Sequence, residues 1–186
     1  MNRVILTPAA LPSSALAELK QWLGISTARD DAPLSALLAS ALDIFEAFTG
    51  QMPFTADCEE VVAAHAGWNP LSTRPVQAIT TLSAIAADGT RAALPAGAYE
   101  VDLGADGSGR VRLPLSVLTP AGATRVAVRF TAGLAPDWDG LPDALRHGMI
   151  RLAAHQHRAR EGDGASPLPP ASVCALWRPW RRMRLA

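Results

Sequence analysis

A continuous apolar stripe at helical spacing runs through Leu34, Leu37, Leu38, Ala41, Leu42, Phe45 and Phe48. No strand can gather those positions on one face, because strand side chains alternate from side to side. Asp43 and Glu46 fall off the stripe. Asp30 or Asp31 offers a cap before it, Pro33 fits a first turn, and Gly50 stands where a left-handed stop belongs. The spacing predicts a helix over about 31–49. Such a helix is stable only if its stripe is covered by something else.

Two further helices are predicted on either side. Pro12, Ser13 and Ser14 offer a start for a run carrying Leu16, Leu19 and Leu23 and stopped by Gly24, over about 13–23. Pro142 opens another, with Leu145, Met149, Leu152 and Ala153 on its apolar face, ending near residue 160 before Glu161-Gly162-Asp163-Gly164. Between the second and third helices the period changes to two. Val61 and Val62 begin a short strand, and Ile79–Ala86 leads into the hairpin signal Asp88-Gly89. Tyr99–Leu103 and Arg110–Leu113 flank a glycine-rich turn, and Arg125–Phe130 alternates, with Val126, Val128 and Phe130 on one face. Pro167, Pro169 and Pro170 predict an extended segment afterwards. The expected architecture is α+β and predominantly α-helical. It has three main helices, a small antiparallel β-sheet inserted over about 59–132, and an extended C-terminal tail. One domain of residues 1–164 and a tail of 165–186 is the expected organisation.

The formal net charge is zero but unevenly spread. Residues 1–139 carry nine basic and fourteen acidic side chains, net −5, and residues 140–186 carry eight and three, net +5. A general nucleic-acid coat would be basic throughout. This pattern instead suits attraction between the C-terminal part and an acidic surface. Cys58 and Cys174 form no paired motif, so a reducing compartment is expected. The N-terminal stretch lacks the continuous apolar region of a secretory signal, and no apolar run is read as approaching the length of a membrane span, so synthesis in the cytosol and no membrane partner are expected.

The sequence offers little chemistry. His147, His155 and His157 share a predicted helix, but their spacings of eight and two do not converge as helical metal ligands three or four apart would. His65 stands alone. No metal site and no cofactor is expected. Gly104–Gly109 is followed by a strand, not the helix start that a phosphate loop needs, and reads as a hairpin turn. Cys174 and the serines lack a nucleophile motif, and Asp137 and Asp139 precede a helix they can cap. No acid, base and nucleophile stand together, so no catalytic residue is assigned and an enzyme is not expected. The C-terminal stretch is the distinctive feature: Trp177, Arg178, Pro179, Trp180, Arg181, Arg182 and Arg184, with no acid. Tryptophan and arginine are the side chains that anchor protein interfaces. The stretch reads as a docking peptide, as a segment packed on its own domain, or as a contact for DNA phosphates.

Several stretches together resemble the head–tail connector (adaptor) family of tailed phages and of phage-derived gene transfer agents. They are LPSSALAELKQWLGI with DDAPLSALLASALDIFEAFTGQ, and LSTRPVQAITTLSAIAADGTRAALPAGAYEVDLGADGSGRVRLP. VAVRFTAGLAPDWDGLPDALRHGMIRLAAHQHRARE and ALWRPWRRMR complete them. The resemblance spans nearly the whole chain in family order, with Thr55–Ser72 and His155–His157 departing from it. It implies a structural subunit of a homo-oligomeric ring of about twelve copies, closed by cyclic symmetry. The ring lies at the head–tail junction between the portal protein and a tail stopper or tail terminator. DNA passes through its lumen without sequence recognition. The resemblance carries the portal contact onto Trp177, Arg178, Pro179, Trp180, Arg181, Arg182 and Arg184. Helix faces with Leu34, Leu37, Leu38, Phe45, Phe48, Leu145 and Leu152 are the candidate core and inter-copy surfaces. The alternative is an adaptor module that binds nucleic acid through the arginine-rich third helix and the tail.

Overall fold

The computed structural model describes residues 3–8, 10–118, 122–159 and 169–181. The chain is α+β but not predominantly helical. Among the described residues it forms five α-helices and eight strands in two antiparallel sheets, in place of the expected three helices, one small sheet and extended tail. These divide into a helical unit of residues 10–54 with 135–186 and a β unit of residues 1–9 with 55–134.

The three expected helices are present almost residue for residue: α1 (Ser13–Leu23), α2 (Asp31–Thr49) and α4 (Asp143–Ala159). Both predicted glycine stops hold, Gly24 at φ 72° and Gly50 at φ 73°, a conformation that only a residue without Cβ takes at no cost. The predicted serine and aspartate caps do not form, since neither α1 nor α2 has a side-chain cap hydrogen bond. Ser14 Oγ instead donates to Asp139 Oδ2 (3.2 Å). α2 buries Leu34, Leu38, Ala41, Phe45 and Thr49, a stripe four or three residues apart, and packs on α4. Each such leucine or phenylalanine contributes about 1.5–3 kcal/mol on leaving water. α4 is covered on most of its circumference, burying Leu145, Gly148, Met149, Ile150, Leu152, Ala153 and Ala154. Lys20 Nζ on α1 reaches Asp31 Oδ1 of α2 (2.6 Å), and buried Trp138 donates its Nε1 hydrogen to Glu18 Oε2 of α1 (2.9 Å).

By length and composition α2 would pass for a membrane span, contrary to the expectation that no run approaches one. It carries Asp43 and Glu46 in its second half and lays only its Leu34–Thr49 stripe against the helical unit.

The β unit is larger than the expected insertion. β1 (Arg3–Ile5) precedes the helices and pairs with β2 (Ala56–Ala63), so the sheet draws on both sides of α1 and α2 in sequence. Three residues are too short a run to show a period, which hid this strand. β3 (Gly67–Pro70), β4 (Val76–Ala86), β5 (Arg91–Ala93), β6 (Glu100–Leu103), β7 (Gly109–Leu113) and β8 (Ala123–Ala132) follow, with a one-turn helix α3 (Leu115–Leu118). One sheet runs β1-β2-β8-β4-β5 and the other β3-β7-β6. Asp88-Gly89 makes the predicted hairpin between β4 and β5, with Gly89 at φ 88°. The Thr90 amide donates to Asp88 Oδ1 (2.9 Å), and that bond lowers the Asp88 pKa. Gly104–Gly109 is a turn between β6 and β7.

β8 is the centre of the larger sheet, buried at Val126, Val128 and Phe130 as predicted, and also at Ala127. Two adjacent glutamates on β2 are both buried and face opposite ways. Glu60 accepts hydrogen bonds from the Ser72 and Thr73 amides (2.9 and 3.3 Å) and from Thr73 Oγ1 (3.2 Å), fixing the β3–β4 connection. Glu59 meets Arg91 Nη1 (2.8 Å) and Arg129 Nε (3.1 Å). Burial pushes its pKa up, but the hydrogen bonds and charges of Arg129 and Arg91 outweigh burial and hold it below the usual value.

Candidate docking surface

The C-terminal segment is not extended. α5 (Ala171–Trp177) starts directly after Pro170 and runs into a 3-10 turn at Arg178–Trp180. A proline just before a helix costs nothing there. Beyond it, Val173 and Trp177 lie four apart and both are buried, which gives the short helix its reason to form.

Trp177 is fully buried in a seat built by α2 and α4. Its ring meets Phe45 edge-on at 5.3 Å between centroids and Phe48 at 6.1 Å in a tilted arrangement. The third wall is Gly148, in the middle of α4. A Cβ there would stand 2.9 Å from Trp177 Cδ1 and Cε2. The indole therefore lies directly on the α4 backbone. Its Nε1 is buried with no acceptor among the described residues, a cost of about 1–3 kcal/mol that ring burial must exceed. Beyond the seat, Gln51 Nε2 donates to the Trp180 carbonyl (2.6 Å), and the Arg181 guanidinium lies over the Phe48 ring at 4.9 Å.

The predicted docking residues thus divide. Trp177 anchors the segment inside its own unit. Arg178, Pro179 and Arg181 are exposed and Trp180 is half-buried. Arg182 and Arg184 lie outside the described residues. Of the seven helix-face residues, Leu34, Leu38, Phe45, Leu145 and Leu152 are interior, whereas Leu37 and Phe48 are half-buried. Gly148 was not singled out by sequence reasoning. The signal was present, since a glycine inside a helix costs about 1 kcal/mol against alanine and calls for a packing reason.

Outside this segment, the histidines do not converge. His147 and His155 lie on the outer face of α4, and His65 borders an open hollow with Ala64, Leu115 and Leu118. Among the described residues no three His, Cys, Asp or Glu side chains are grouped to hold a metal. Asp137 accepts from the Gly140 amide (2.9 Å) in the turn before α4. Cys174 is half-buried, with its Sγ 3.4 Å from the Pro169 carbonyl.

No family model matches the chain, and neither does any curated protein. Solved structures do. A component of the neck of an empty gene transfer agent (GTA) particle, computed with C6 symmetry, is 26% identical with a TM-score of 0.78, covering 100% of this chain and 98% of that one. A component of the virion of a native GTA particle gives 26% identity, a TM-score of 0.76 and the same coverage. A component of the neck of a native GTA particle, computed with C12 symmetry, gives 26% and 0.73 over 98% and 97%. The class these likenesses define is that of structural components of a gene transfer agent particle. Two of the three are neck components, which supports a place at the head–tail junction of such a particle.

Proposed function

We propose that the chain is the adaptor subunit of a phage-like particle: one copy in a closed ring that joins the portal protein to the tail stopper or terminator, with DNA passing through the lumen. The observation that carries this reading is the full-length likeness to a neck component solved with C12 symmetry. Cyclic symmetry in turn calls for a heterologous contact that closes on itself.

In this reading, residues 165–186 form the portal-docking segment. Trp177 fixes the segment to α2 and α4, so its ordering entropy is already met before the partner arrives. The portal then meets Arg178, Pro179, Arg181 and the open edge of Trp180 as a preformed ledge. The test is portal binding by the full chain and by a chain ending at Trp177. Loss of binding with unchanged circular dichroism supports the ledge, and equal binding refutes it.

The second reading, a nucleic-acid-binding module, draws on the basic outer face of α4. Binding of duplex DNA by the isolated chain, falling steeply with salt, favours it.

A further inference from the structure

α4 is buried on most of its circumference, and one narrow stripe of it stays at least partly open. His147, Arg151, His155 and Arg158 follow each other at spacings of four, four and three, which aligns them along a single face. Arg158 is exposed and the other three are half-buried. Neither Arg151 nor Arg158 has an ion-pair partner among the described residues. At its N-terminal end the stripe continues onto α1. Trp22 there is 46% exposed and stands edge-on to His147 at 5.1 Å. An exposed tryptophan leading a row of arginines has the composition of a protein-binding hot spot.

The occupant must supply negative charge beside apolar surface. α2 of a second copy has both. Beyond its buried stripe, Ala36, Ala39 and Ala47 are exposed and Leu37, Leu42 and Ile44 are half-buried. Its outer face carries Ala36, Ala39 and Ala47 around exposed Asp43, with Glu46 alongside. Asp43 has no ion-pair partner among the described residues. α2 turns its buried stripe toward α4, so this outer face points away from α4 in the same copy. A contact between the two surfaces therefore joins different patches on different copies, the heterologous kind that closes into a ring.

We propose that the α4 stripe, led by Trp22, docks on the outer face of α2 of the next copy, with Arg151 and Arg158 set about Asp43. This rests on the ring reading above and assigns its contact surfaces. The test is self-association of the full chain, followed by sedimentation and native mass spectrometry across a concentration series. Three preparations are compared: wild type, Arg151→Glu with Arg158→Glu, and Asp43→Arg. Each charge-reversed chain is expected to associate at least about tenfold more weakly than wild type, and mixing the two is expected to restore association. Unchanged self-association of both variants overturns the inference while the ring stands. A wild type that stays monomeric at every concentration overturns the ring reading with it. Salt-sensitive binding of duplex DNA, lost in Arg151→Glu with Arg158→Glu while self-association is kept, assigns the stripe to nucleic acid and likewise overturns it. Circular dichroism of each variant guards against misfolding, and the mixing experiment is decisive because two misfolded chains do not rescue each other.

Discussion

Gly148→Ala tests the seat of Trp177 by the sign of its effect. In an ordinary helix interior this substitution stabilises by about 0.8–1 kcal/mol, because alanine is the better helix former. Here the new methyl would stand 2.9 Å from Trp177 Cδ1 and Cε2, with Nε1 nearer still. Either α5 moves off α4 at an overpacking cost of about 1–3 kcal/mol, or the indole leaves its seat at about 3–5 kcal/mol. Less the propensity gain, the first route leaves about 0–2 kcal/mol and the second about 2–4 kcal/mol, so net destabilisation is expected, with a fall in Tm of about 2–4 °C for each kcal/mol in a chain of this size. Urea unfolding followed by far-ultraviolet circular dichroism measures it. Trp177→Ala then supplies the control. With the indole gone the clash is gone, and Gly148→Ala in that background is expected to stabilise. A sign reversal between backgrounds is a coupling that only direct contact produces. Stabilisation by Gly148→Ala in the otherwise unaltered chain would refute the packing of α5 on α4.

Glu59→Gln removes the charge shared by Arg91 and Arg129 and is expected to cost about 1–3 kcal/mol at neutral pH, read by denaturant unfolding. Glu59 has a folded pKa below its ordinary 4.5, so its contribution is complete above that value and is lost as pH falls through the folded one. The unaltered chain should therefore lose stability on acidification more steeply than Glu59→Gln, and parallel acid limbs would refute the pairing. Glu60→Gln keeps one acceptor oxygen for the Ser72 and Thr73 amides. It is expected to cost less than Glu60→Ala, which strands both amides at about 1–3 kcal/mol, and faster hydrogen exchange at Ser72 and Thr73 checks it. Truncation after Trp177 is expected to leave Tm within a few degrees while abolishing portal binding. A large drop in Tm would instead assign Arg178–Arg181 to the core.

The helices were legible because their stripes are long. Fifteen residues from Leu34 to Phe48 show a 3.6 period that nothing else imitates, and α1, α2 and α4 start and stop within a residue of the reading. Central strands with clean alternation, such as β8, were legible for the same reason. The misses are short elements whose existence depends on partners distant in sequence. β1 is a strand because β2 offers it an edge, and α5 is a helix because Trp177 finds Phe45 and Gly148. Three arginines and two tryptophans within Trp177–Arg182 named the segment that matters. They did not say which ring would point inward, since composition carries no direction. The predominance of helix was misjudged because β3 and β5 show no pattern of their own and borrow order from β7 and β4.

The charge imbalance along the chain acquires a location from the fold. The positive excess of residues 140–186 is not a property of the tail alone, since Arg146, Arg151 and Arg158 belong to α4. Arg146 is engaged at the start of the helix by Asp143 (2.6 Å) and Asp139 (3.9 Å). The remaining positive charge among the described residues of this stretch therefore stands in two separate places, the α4 stripe and the ledge at Arg178 and Arg181. On the proposed adaptor reading the chain needs two kinds of contact, one with its sister copies and one with the portal, and these must not compete. Two basic surfaces on different elements meet that demand, whereas one continuous patch would let either partner occupy the other's place. Charge reversal on α4 should therefore weaken association between copies and spare portal binding per copy. Truncation after Trp177 should do the opposite. If the two perturbations prove interchangeable, the surfaces are one, and the separation argued from α4 and α5 is wrong.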